Sequence, residues 1–148
     1  MKMFRYLLVV ILTTQIVLGA YPDIVSDSDT NHTANKELVY SIPVEYYKSV
    51  DTIIFENNLI AESTWLHGGY GKLAAWGFTE ALWDDKYHYC YQGTVWIDAT
   101  NDYNIQFVLL HELGHIHDFC EVKSNISTEQ YANNYAEKYL TQNAETFI

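Results

Sequence analysis

Residues 105–119 constrain the fold of this chain more than any other stretch. Apolar side chains fall at Ile105, Val108, Leu109, Leu113, Ile116 and Phe119, a spacing close to one α-helical turn. Asn104 or Asp102 stands where an N-cap belongs. A second periodic segment runs from about Thr128 to Gln142, with Ser127 and Gln130 in capping-box spacing. Only Glu121 to Ile126 separates the two segments, so two antiparallel or steeply crossed helices are expected.

Upstream of these helices the pattern changes. Thr52 to Phe55 is a compact β-branched and aromatic run, and Thr94 to Ile97 is another directly after Gly93. Leu73 to Thr79 and Tyr87 to Tyr91 read as further strands, and Leu38 to Ile42 as a short one stopped by Pro43. Val44 to Ser49 reads as a helical turn, and Leu66 to Lys72, with Gly68, Gly69 and Gly71, as a loop. At 148 residues, 49% of them hydrophobic, the chain suits one domain with a real core and not a disordered segment. The fold class implied is α+β: a small mixed or antiparallel sheet packed on the helix at 105–119, with the C-terminal helix alongside.

The first twenty residues read differently. Lys2 and Arg5 precede the apolar run Leu7 to Leu12, and small residues Gly19 and Ala20 lead into a polar stretch. Residues 1–20 therefore match a secretory signal peptide, with a signal anchor as the alternative. The apolar run is short for a membrane span, so no stable span is expected after cleavage. Residues 21–36, rich in Asp, Ser, Thr and Asn, read as a flexible leader, leaving 37–148 as the domain.

Export agrees with the cysteines. Cys90 and Cys120 are expected to pair as one disulfide in an oxidising compartment. Asn31-His32-Thr33 and Asn125-Ile126-Ser127 fit the glycosylation acceptor pattern. Loss of Lys2 and Arg5 with the signal would take the formal charge from −11 to −13, since no acidic residue precedes position 21. Such a domain repels nucleic acid phosphates, which excludes nucleic acid as a partner, and favours basic or neutral substrates.

The helix at 105–119 carries His111-Glu112-Leu113-Gly114-His115, an HExxH pattern. Residues four apart lie on one helical face, so both imidazoles can reach a single Zn²⁺. Glu112 projects beside that face, where a carboxylate can act as general base on a zinc-activated water. Gly114 in mid-helix costs about 1 kcal/mol relative to Ala, which points to close packing there. The alternative is an ordinary helix with two satisfied histidines.

A zinc site needs a third protein ligand. Glu129, at the start of the second helix, is the favoured candidate, because a short turn can fold it back onto the histidine face. Acidic residues at helix starts are also simply dipole-favourable. Glu121 is the rival, six residues after His115, where an extended HExxHxxGxxH/D pattern would place a ligand. That pattern asks for Gly at 118, where this chain has Asp118, and for a downstream Met turn, whereas the Met residues here are Met1 and Met3.

Asp118 is a candidate for supporting a ligand histidine. His117 lies about 200° round the helix from His115 and should face away from a metal. His67, beside Gly68-Gly69, is a candidate for stabilising an oxyanion. His88, among Tyr87, Tyr89 and Tyr91, reads as a surface strand residue.

His-Glu-Leu-Gly-His followed by Glu129-Gln130-Tyr131-Ala132-Asn133-Asn134-Tyr135-Ala136 resembles the small gluzincin-type metallopeptidases, in particular the ImmA/IrrE-like group. The resemblance covers Val95 to about Leu140. It implies a zincin-like fold binding one zinc ion through His111, His115 and Glu129, with Glu112 as catalytic base and a peptide or protein as substrate. It also implies that Asn133 orients a ligand histidine. An extended substrate would lie on the edge strand nearest the helix, expected within Thr94 to Asp98. A secreted zinc-binding module without turnover is the alternative function.

Overall fold

The computed structural model describes residues 19–63, 71–74, 76–100 and 104–145. The signal-peptide reading of residues 1–20 falls almost wholly outside them, as does His67. Among the described residues, no helix is long and apolar enough to cross a membrane.

Four strands form a mixed sheet in the order β1-β2-β6-β5. They are β1 (Asp23–Ser26), β2 (Thr52–Glu56), β6 (Tyr89–Asp98) and β5 (Gly77–Asp84). β1, β2 and β6 run parallel, while β5 returns antiparallel on β6. A separate antiparallel hairpin joins β3 (Ile60–Ser63) to β4 (Gly71–Ala74). Parallel neighbours need a crossover. Between β1 and β2 it consists of α1 (His32–Ser41) and a 3₁₀ turn at Val44–Tyr47. The architecture is the expected α+β fold, completed by α2 (Ile105–His117) and α3 (Thr128–Glu145).

Alternation explains which face of the sheet is covered. Ile53 and Phe55 of β2 pair in register with Val95 and Ile97 of β6, and all four are fully buried. They meet Leu109, Leu110 and Leu113 of α2, together with Val39 and Ile42 from the first crossover, in one core. Fully burying each such side chain contributes about 1.5–3 kcal/mol, so this layer fixes α2 to the sheet.

Several local expectations are corrected. Residues 21–36 are not a loose leader: Asp23 to Ser26 pair with Thr52 to Phe55, and Asn31 caps α1, its Oδ1 accepting from Ala34 N at 3.1 Å. The polar composition there serves turn chemistry. Thr30 N and Oγ1 both donate to Asp27 O at 2.9 Å. Buried Asn35 donates to Ser26 Oγ at 3.0 Å and Thr30 Oγ1 at 3.2 Å, which ties α1 to β1. Leu38 to Ile42, expected as a strand, is instead the last turn of α1 and its C-cap, because a helix there buries Val39 and leads Ile42 into the core.

The Leu73 to Thr79 strand is divided between β4 and β5. The Tyr87 to Tyr91 strand begins only at Tyr89, because Asp84 Oδ1 accepts from Lys86 N and Tyr87 N, both at 2.9 Å. His88 lies in that turn with φ of 55°, not in a strand. Asn104 is the cap of α2, accepting from Gln106 N and Phe107 N. The α-helix ends at His117 and a π-helical turn, Asp118–Val122, follows.

Cys90 and Cys120 form the expected disulfide, joining β6 to that π-helical turn. Lys123, in the left-handed region at φ of 52°, stops the turn, and its ammonium sits 3.7 Å from the centre of the Trp83 ring.

Candidate metal centre

The site is built where α2 and α3 cross. Gly114 allows that approach: a Cβ at this position would meet Ala132 Cα at 2.8 Å and Tyr135 Cβ at 3.1 Å. Ala132 and Ala136, both fully buried, keep the facing side of α3 equally thin. The Ser127 hydroxyl accepts from Gln130 N at 3.2 Å, which starts α3 just ahead of Glu129.

This packing brings three side chains from two helices together. His111 Nε2 and His115 Nε2 lie 3.0 Å apart. Glu129 Oε2 lies 3.3 Å from the former and Oε1 3.2 Å from the latter. One ligand atom from each of the three residues lies within 4.8 Å of the other two, close enough for the group to share a single ion. Among the described residues, these three form the one group able to hold a metal ion. The donor set, two imidazoles and one carboxylate, is chemically suited to a borderline cation.

Neighbouring groups prepare the donors. His111 Nδ1–H donates to Asn133 Oδ1 at 2.9 Å, which fixes the tautomer and leaves the Nε2 lone pair free. Burial, with the neighbouring His111 ring, holds His115 below the ordinary imidazole value, against the opposing pull of Glu129 and Asp118. Both effects favour neutral, ligating imidazoles.

The remaining sequence candidates fall as follows. Asp118 is buried but does not hydrogen-bond a ligand histidine. Its Oδ1 accepts from Ser124 N at 2.7 Å, so it shapes the turn after α2 and acts on His115 only through its charge. Glu121 points away from the triad and pairs with Lys48 Nζ at 2.9 Å. His117 faces away as expected, its Nδ1 lying 2.7 Å from the Tyr131 hydroxyl.

Glu112 is buried at 6% exposure and accepts no hydrogen bond among the described residues. Burial pushes its carboxyl up to about 8, with the Glu129 charge adding to the shift. Its surroundings were not legible in the sequence. Gly77, the first residue of β5, lies so close that a Cβ there would come within 2.6 Å of Glu112 Cγ and Oε1. Nothing in the sequence around Gly77 marks it as a neighbour of residue 112.

One cleft contains all of this. It has a volume of about 1500 Å³ and is lined on one side by β5 from Gly77 to Leu82 and on the other by α2 and α3. The edge strand beside the site is therefore β5 and not the Thr94 to Asp98 segment, which is interior, paired on both sides with β2 and β5.

No family model matches the chain, and comparison with curated proteins and with solved structures found no match. The reading of the site thus rests on its own geometry.

Proposed function

We propose that this chain is a secreted zinc-dependent metallopeptidase, a small gluzincin-type zincin resembling the ImmA/IrrE-like group. The observation that carries the reading is the cluster of His111, His115 and Glu129, close enough to share one ion, with the buried side chain of Glu112 lining the same cleft. Bound zinc supplies Lewis acidity, lowering the pKa of a water to about 7 and polarising a carbonyl.

The chain's own residues do the rest. Asn133 holds the His111 ring in the ligating tautomer. Glu112 in its ionised form accepts a proton from the attacking water and returns it to the leaving amine; the charge of a bound cation would offset the burial that raises its carboxyl, and its place on the cleft supports the role. Gly77 leaves the space that this carboxylate occupies. Among the described residues β5 is the outer strand of its sheet, and this edge would pair with an extended peptide, backbone hydrogen bonds supplying affinity. Export is supported by the signal-like residues 1–20 and by the disulfide.

The test is a pair of variants in the mature protein. Glu112→Gln should keep stoichiometric zinc by elemental analysis while peptide hydrolysis falls by about 10²–10⁴-fold. Glu129→Ala should lose the metal. Undiminished hydrolysis by Glu112→Gln would refute the mechanism.

A further inference from the structure

The apolar part of the cleft narrows the substrate, an inference that rests on the peptidase reading. Phe107, His111 and His115 of α2, and Phe119 in the π-helical turn beyond it, all line the cleft. They recur every fourth residue, a spacing that sets them in one row along the helix. The chemistry occupies the middle of this row. An aromatic side chain stands one turn outside the histidines at each end, and the Phe107 ring centre is 6.3 Å from that of His111.

The other walls are low near Phe119. On β5, Gly77 and Thr79 pair with Ile97 and Val95, whose buried side chains belong to the core shared with α2. Alternation therefore turns Gly77 and Thr79 toward the helix, and neither is bulky. Gly77 lies against Glu112, and β5 then runs toward the disulfide, since Trp83 pairs with Cys90, which is bonded to Cys120, the residue after Phe119. Thr79 and then Ala81 line the cleft along that path. From α3 the lining beside Glu129 is Thr128, another small residue.

Phe119 is 51% exposed. Single exposed apolar side chains are ordinary on a protein surface. This one lies inside a cleft, one turn from His115, so a ligand seated at the histidines would cover it. Phe119 stands about 6 Å beyond His115 along the helix, and Phe107 about 6 Å before His111. An extended chain advances about 3.3 Å per residue, so side chains roughly two residues from the scissile bond reach either ring. We propose that the substrate is an extended peptide with bulky aliphatic or aromatic side chains within two residues of the scissile bond, and that Phe119 is a residue that sets this preference.

The experiment uses the zinc-loaded mature Glu112→Gln protein, so that binding is read without turnover. Three fluorescent decapeptides, carrying Leu, Ala or Gln at the four central positions between Ser and Gly flanks, are compared by anisotropy. The Leu peptide should bind at least ten-fold more tightly than the Ala peptide, and the Gln peptide, close to Leu in size but polar, no better than Ala. Adding Phe119→Ala should reduce the Leu-over-Ala ratio about five-fold. Phe119→Leu, which keeps an apolar side chain in place, should reduce it less than two-fold.

Val122→Ala with Ile126→Ala, two exposed apolar positions outside the cleft lining, is the control and should leave the ratio unchanged. Equal affinity for the Leu and Ala peptides, a ratio indifferent to Phe119→Ala, or the same loss in the control would overturn the proposal. Failure of the parent reading shows separately, as zinc-loaded wild-type protein that binds the Leu peptide yet cleaves none of the three.

Discussion

At the scale of single residues, two small side chains determine whether the centre can exist. At Gly114 the second helix packs so near the HExxH helix that a Cβ would collide with the Ala132 backbone. Alanine there would gain roughly 1 kcal/mol in helix propensity but would press on the backbone of Ala132, and overpacking of this kind costs about 1–3 kcal/mol. We expect Gly114→Ala to lower the urea midpoint and to weaken zinc binding with it, because the same displacement moves Glu129 away from the histidines. Asn133 acts more narrowly. Asn133→Ala should leave the unfolding free energy of the zinc-free protein, from urea titration, within about 0.5 kcal/mol of wild type, as expected for an exposed position. Zinc affinity should fall about 10–100-fold through loss of the Nδ1 hydrogen bond, as a competitive chelator titration would show.

At the scale of elements, what could be read in advance was what local chemistry encodes. The 3.6-residue spacing from Ile105 and the box at Ser127 and Gln130 marked both helices, and the short link between them brought Glu129 back to His111 and His115. The β-branched runs marked β2 and β6. The errors arose where tertiary contacts decide. Asp23 to Ser26 become a strand only because β2 offers its edge, and Leu38 to Ser41 are helical because the core accepts Val39 on that face. The neighbour of the site was missed for the same reason. β6 carries the stronger strand sequence, but its position between β2 and β5 removes it from the edge, a fact of sheet order that no local pattern records. The metal itself should link elements, since its ligands come from two helices. Removing it with a chelator should lower the melting temperature by on the order of 10 °C when zinc is present at a thousand times its Kd. An unchanged melting temperature would mean that the triad binds no ion.

At the scale of the whole molecule, the Cys90–Cys120 bond spans 30 residues and connects the sheet to the end of the HExxH helix. Replacing both cysteines with serine should cost about 3–4 kcal/mol in the chain-entropy model, measured by denaturant unfolding. The bond also lies at one end of the cleft, beyond Glu80, where β6 and the turn after α2 are stitched together. The sheet and the HExxH helix are thus tied at both ends, by this bond at one and by the short run of chain from Asp98 to Ile105 at the other. A frame closed in this way resists being prised apart, so a guest is expected to thread through as a single extended strand and not to dock as a folded surface.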